Sequence, residues 1–185
     1  MATHPGTEYR GLEQGPIRPP SEAASLLLRV TRNCPWNKCS FCPVYKGTRF
    51  SRRPVEHVLA DIDAVARYLY ADMGRKEESE ALAAERQRKF PDLPSDDALA
   101  ASVAWNWRQT GMKSVFLQDA NSLVIRPGDM IRILERIRER FPWVERVTTY
   151  ARSHTLATHL TDADLAAMAA RSASVRCVAS VCERA

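Results

Sequence analysis

Three cysteines within nine residues, Cys34-Pro-Trp-Asn-Lys-Cys39-Ser-Phe-Cys42, carry the most specific chemistry in this sequence. Thiolates are soft ligands, and three on one short loop converge on a single cluster face when the loop wraps around it. Four residues separate the first pair and two the second, and the next cysteine is Cys177. Three thiolates leave one iron of a [4Fe–4S] cluster without a protein ligand, whereas an electron-transfer site closes all four positions. An open iron can bind substrate.

Other metal chemistries use part of this pattern. A structural zinc site draws its ligands from two close pairs, and here a single triplet stands without a second half. A plant-type [2Fe–2S] site has the same four-then-two gaps with a distant fourth cysteine, a place Cys177 or Cys182 would have to fill. A non-catalytic iron–sulfur electron-transfer or zinc-binding module is therefore the alternative to an enzyme. Buried cysteines with no ligand role are common, but Pro35, Asn37, Lys38 and Ser40 make a core segment a poor description of this loop. Five cysteines in 185 residues are too few for a disulfide scaffold.

The elements that must position the loop follow from periodicity. Ser25-Leu-Leu-Leu-Arg-Val-Thr31 is a short apolar run ending in β-branched residues, so a buried strand feeds directly into the cysteines. From Pro54, apolar residues at three-to-four spacing through Leu69 predict a helix with proline in its first turn. Residues 74 to about 95 are dominated by Lys, Glu, Arg, Gln and Ala, which predicts a charged surface insertion. A helix over Asp96–Thr110 closed by Gly111, a strand over Lys113–Gln118, a helix over Pro127–Arg140 and a strand over Arg146–Tyr150 follow. Thr161 or Asp162 then caps a further helix. This alternation predicts an α/β fold with parallel strands and ligand chemistry at their C-terminal ends, where the cysteines and Asp119 fall together.

Composition sets the outer bounds. The length suits one domain. Residues 1–23, rich in Gly and Pro, predict a flexible N-terminal arm without chemistry. The net charge of +5 is spread among interspersed acids and bases, so nucleic acid is not indicated as a partner. No apolar run approaches the ~20 residues needed to span a bilayer, and the first residues lack the order of a secretory signal, so the expected location is the cytoplasm with no membrane partner.

The strand, the loop Cys34…Cys39-Ser-Phe-Cys42 and the alternating units together resemble the radical S-adenosylmethionine superfamily over about residues 24–170. Family members most often place three residues between the first two cysteines, and the four found here occur in less common branches. The resemblance implies a partial (β/α) barrel, about half of the full core, with a [4Fe–4S] cluster on Cys34, Cys39 and Cys42. It further implies reductive cleavage of S-adenosylmethionine to a 5′-deoxyadenosyl radical that abstracts hydrogen from a substrate the sequence does not identify. An electron donor such as a flavodoxin or ferredoxin is the implied partner.

The same resemblance implies a set of cofactor contacts. Phe41 occupies the aromatic position whose backbone approaches the adenine. The family's Gly-Gly-Glu-like segment is replaced by Gln118-Asp119-Ala-Asn121, where Asp119 and Asn121 stand for the amino-group contacts. Asp119 would accept from an ammonium, and capping of the following turn is its other reading. Thr149, Arg152 and Ser153 stand where the family places ribose and carboxylate contacts, Arg152 being the carboxylate partner. Lys46, Arg49, Arg52 and Arg53 form a basic stretch after the cysteines, read as a solvated surface or as a receiver for an acidic substrate or electron donor. Relatives continue past the helix at 164–170 with a strand ending in Gly-Leu-Glu-Ser-Gly, and Arg171-Ser-Ala-Ser-Val-Arg-Cys177 lacks it. The expectation is an out-of-register tail over 171–185, frameshifted or truncated, with Cys177 and Cys182 accidental.

Overall fold

Short apolar runs become strands and the amphipathic stretches between them become helices. The computed structural model describes residues 8–40 and 42–171, with the backbone of 175–179. β1 (Leu26–Arg29) and the two-residue β2 (Thr31–Arg32) precede the cysteines, and β3 (Ser51–Arg52) follows them. Three helices come next, α1 (Val55–Asp72), α2 (Lys76–Lys89) and α3 (Ala98–Gln109). Then β4 (Ser114–Gln118), α4 (Pro127–Arg140), β5 (Arg146–Ala151), α5 (Ser153–His159) and α6 (Asp162–Arg171) alternate, with β6 (Val175–Ala179) traced by its backbone.

The core of the fold is a parallel sheet in the order β1-β4-β5. The backbone of β6 pairs parallel to β5. Six helices accompany the sheet, which stays open: the described strands close no barrel. The α/β class and the parallel strands are as the periodicity predicts.

Strand alternation divides the sheet into two unlike faces. Leu26 and Leu28, Val115 and Leu117, and Val147 turn toward the helices and join one apolar core with Ile62, Val65 and Leu69 of α1 and Ile133 and Ile137 of α4. Full burial of each such side chain is worth about 1.5–3 kcal/mol. The opposite face carries Leu27, Phe116 and Thr148 in register, and nearer the strand ends Arg29 beside Gln118, with Tyr150 packed edge-on to Phe116 at 5.1 Å. Its polar side chains gather at the end where the cysteine loop departs.

Two segments are more firmly held than their composition suggests. α2 is mostly exposed, as a charged insertion would be, yet it packs on α1 through buried Ser79, Leu82 and Arg86. Residues 8–23 have little regular structure beyond a 3-10 turn at Pro20–Glu22, but they are packed rather than loose, with Tyr9 5% and Leu12 7% exposed. Tyr9 stacks on Phe90 and His57, at 4.4 and 5.2 Å. Asp97 caps α3 by accepting from Ala100 N at 3.0 Å and also accepts from Leu12 N at 3.1 Å, which ties the segment to the helix. The side chain of Cys177, and Cys182 with the rest of the tail beyond β6, lie outside the described residues. No helix among the described residues is long and apolar enough to cross a membrane.

Candidate metal centre

The cysteine loop is a closed excursion from the first strand. After β2 the chain leaves for residues 33–50 and returns as β3, which pairs antiparallel with β2, Thr31 opposite Arg52 and Arg32 opposite Ser51. Asn33 Nδ2 donates to Arg49 O at 2.7 Å and Asn37 Nδ2 to Thr48 O at 2.8 Å, so the two arms are stitched together above that base. Asn33 and Asn37 have φ of 66° and 50°, a left-handed backbone that asparagine tolerates better than most residues.

A buried charge network underlies the loop. The Arg53 side chain is fully buried, contacts Asp61 at 2.5 Å and Glu13 at 3.3 Å, and donates to Arg29 O at 2.7 Å. Burial pushes the Asp61 carboxyl up to about 7 against the pull of Arg53. Glu13 also meets Arg32 at 2.5 Å and Arg29 at 3.7 Å. Burial raises the Glu13 carboxyl, but the Arg32 hydrogen bond and the charges of Arg53, Arg32 and Arg29 outweigh it, and the net displacement is downward. Glu13 thus gives the N-terminal segment a part in holding the loop.

Asp119 holds it from the other side. Its carboxylate, in a residue 3% exposed, accepts from Arg29 Nε at 2.9 Å, Tyr45 Oη at 2.5 Å and the Asn33 backbone N at 3.1 Å. Arg29 Nη2 lies 2.8 Å from the same carboxylate. These partners, all from β1 and the cysteine loop, stand where an ammonium was expected. Burial raises the Tyr45 hydroxyl pKa, and the hydrogen bond to Asp119 adds to the effect.

The remaining expected contacts divide by strand geometry. Thr149 faces the helix layer, where its hydroxyl donates to Leu117 O at 3.3 Å and the side chain lines an apolar cavity of about 220 Å³ with Met130, Leu134 and Met168. Alternation puts Thr148, not Thr149, on the loop-facing side, and the buried Thr148 Oγ1 has no hydrogen-bond partner among the described residues. Asn121 is 1% exposed and engaged with Thr155 Oγ1 at 2.8 Å and Arg152 N at 3.4 Å, joining the end of β4 to α5. Arg152 stacks on Trp36 of the cysteine loop, 4.1 Å from guanidinium carbon to ring centre, and its buried Nε has no hydrogen-bond partner among the described residues. Ser153 opens α5, and its buried Oγ is likewise unsatisfied. Arg152 and Ser153 are the expected contacts that keep open hydrogen-bonding capacity. Phe41 lies outside the described residues.

Cys34, Cys39 and Cys42 are half-buried and none is in a disulfide. Among the described residues no group of three or more His, Cys, Asp or Glu side chains is gathered closely enough to hold a metal. The donor set nevertheless suits an iron–sulfur cluster: soft thiolates from one loop in which residues 33–55 contain no carboxylate. To hold such a cluster the loop would have to draw its thiols together.

Sequence reasoning missed Glu13, Tyr45 and Gly15, which lack periodicity and a motif, and Trp36, which sits inside the cysteine motif but whose partner Arg152 is far along the chain. Gly15 N donates to Gln118 Oε1 at 2.8 Å, and a Cβ there would lie 2.5 Å from Asp119 Oδ1. That oxygen is fixed by its partners and cannot swing aside cheaply, so Gly15→Ala is expected to cost about 1–3 kcal/mol in denaturant unfolding. An unchanged midpoint would show that the N-terminal segment is loosely seated. No family model, no curated protein and no solved structure matches this chain.

Proposed function

We propose that this chain carries radical S-adenosylmethionine chemistry, with a [4Fe–4S] cluster on Cys34, Cys39 and Cys42 and an unidentified substrate. The observation that carries the reading is the placement of three thiols outside any disulfide on an acid-free loop, which leaves the C-terminal end of a strand in a parallel α/β sheet. When bound, the cluster and S-adenosylmethionine supply the electron and the 5′-deoxyadenosyl radical that takes hydrogen from substrate.

The chain's own residues have distinct tasks in this reading. The cysteines ligate, while Asp119, Tyr45 and Asn33 fix the loop's position over the sheet. Arg152 and Ser153, with unsatisfied buried polar atoms, are suited to the cofactor's carboxylate and hydroxyl groups. The segment around Gly15 lies over Gln118 and limits water access from that side.

Anaerobic reconstitution with iron and sulfide, followed by electron paramagnetic resonance with and without S-adenosylmethionine and assay for 5′-deoxyadenosine, tests the reading. Wild type is expected to give a cofactor-dependent spectral change and product, and Cys39→Ala is expected to retain less than about a tenth of the cluster iron. A colourless protein that takes up zinc would replace the proposal with a structural metal site. A cluster with no response to the cofactor would replace it with an electron-transfer module.

A further inference from the structure

Three arginines beneath the cysteine loop converge on one carboxylate, and that carboxylate comes from a segment with no regular structure. Arg32 forks onto Glu13, with Nε 2.8 Å from Oε2 and Nη2 2.5 Å from Oε1. Arg53 Nε lies 3.3 Å from Oε1 and Arg29 Nη1 3.7 Å from Oε2. A bidentate guanidinium with two further cations around the same oxygens is the geometry by which proteins hold carboxylates and phosphates. Glu13 does not exhaust it. Arg53 Nε and Nη2 are buried and make no hydrogen bond among the described residues, so the most deeply buried cation of the cradle keeps unused donors.

The segment that delivers Glu13 is anchored at both ends and lightly held between them. Upstream, Tyr9 is buried against Phe90 and His57, and Leu12 N donates to Asp97. Downstream, Pro19 and Glu22 are buried, and Glu22 accepts from Ser25 Oγ at 2.5 Å. Between these anchors Glu13, Gln14, Gly15 and Ile17 are half-buried, and Pro16 and Arg18 are exposed. No backbone–backbone hydrogen bond reaches residues 13–18 among the described residues. Their polar ties to the sheet are Glu13 and the Gln118 amide, which accepts from Gly15 N at 2.8 Å and donates to Ile17 O at 2.5 Å. A stretch held this way opens at a lower free energy than the core beneath it.

We infer that Glu13 is a latch in a three-arginine oxyanion site formed by Arg29, Arg32 and Arg53, and that a small ligand bearing a carboxylate or phosphate, by taking its place, lifts residues 13–17 from the ends of β1 and β4. The anchors on either side stay seated. A group tethered in cis competes at an effective concentration on the order of millimolar, so Glu13 masks the affinity of the arginines for a free anion. Removing its charge uncovers that affinity. The cysteines take no part in either step.

The test is calorimetric titration of the full chain with inorganic phosphate and, separately, with succinate, at an ionic strength fixed with sodium chloride. Glu13→Gln is expected to bind one of the two at least about tenfold more tightly than wild type, and the preferred ion identifies the oxyanion. The double variant Glu13→Gln, Arg32→Ala is expected to lose the gain. Amide hydrogen exchange on the wild type gives a reading that needs no substitution. High concentrations of the preferred ion are expected to speed exchange of the Gly15 amide several-fold and to leave the Leu12 amide, in the upstream anchor, unchanged. Equal affinity in Glu13→Gln and wild type, a gain that survives Arg32→Ala, or a Gly15 amide whose exchange neither ion alters would overturn the inference.

Discussion

Replacing Arg53 with methionine is expected to destabilise the protein by about 3–5 kcal/mol, read by denaturant unfolding at neutral pH. Arg53 and Asp61 side chains are both fully buried and lie 2.5 Å apart. Truncating the cation forces the buried acid either to stand charged without compensation or to take up a proton, and strands its hydrogen-bonding capacity in a place that water cannot reach, a penalty that exceeds the modest net worth of the intact pair. The double variant Arg53→Met, Asp61→Leu removes both charges and is expected to recover most of the loss. Single and double variants that lose the same amount would indicate that packing, not charge, sets the effect.

The pH dependence gives a second reading of the same pair. The folded-state pKa of Asp61 lies at about 7, above its unfolded value, because burial disfavours the charged form. The folded state therefore holds the proton more tightly, and this group's favourable contribution is complete at acid pH. It is lost as pH rises from about 4 to about 7, after which the carboxylate is charged in both states. Removing Arg53 raises the folded value further, so the cost of Arg53→Met is expected to stay flat below the wild-type value and to grow between about pH 7 and about pH 9. A cost that shrinks over that interval would mean that Asp61 keeps its charge in the variant through another partner.

How far such features can be read from sequence depends on whether their cause is periodic. The helix Pro127–Arg140 has the predicted bounds because Met130, Ile133, Leu134 and Ile137 form one buried stripe, and a proline at its start cannot continue a preceding helix. The strands at 26–29, 114–118 and 146–151 likewise follow from unbroken apolar or β-branched runs. The β2–β3 pair was not legible, because two residues on each side have no measurable alternation and their pairing is set by the loop between them. The seating of residues 8–23 depends on Glu13, Gly15 and Leu12 meeting partners far along the chain, such as Asp97 and Gln118. At the site, spacing singled out the cysteines as candidates but could not give the direction of Thr149, since a one-residue choice of strand register decides which face a side chain takes. Nor could it assign partners to Asp119, whose carboxylate is shared among residues 74 to 90 positions away.

Loss of that carboxylate is expected to affect the loop before any cofactor is involved. In Asp119→Ala, Arg29 keeps Glu13 at 3.7 Å as its remaining acid, while the Tyr45 hydroxyl, in a residue 3% exposed, loses its acceptor. Breaking a largely buried ion pair and stranding a buried hydroxyl predicts a loss of about 3–5 kcal/mol. Tyr45→Phe removes one hydrogen bond without leaving a charge uncompensated, and about 1 kcal/mol is expected. The loop's freedom can be read on the unloaded protein by the rate at which Cys34, Cys39 and Cys42 are alkylated. Asp119→Ala is expected to raise that rate several-fold, because local opening costs less once Asn33 and Tyr45 are released. The alternative role for Asp119, contact with the amino group of S-adenosylmethionine, predicts the reverse: an unloaded protein with unchanged stability and thiol reactivity, and a loaded one with weakened cofactor affinity. Since Arg29, Asn33 and Tyr45 already occupy the carboxylate, an incoming ammonium would have to displace a buried ion pair. That cost favours the clamp.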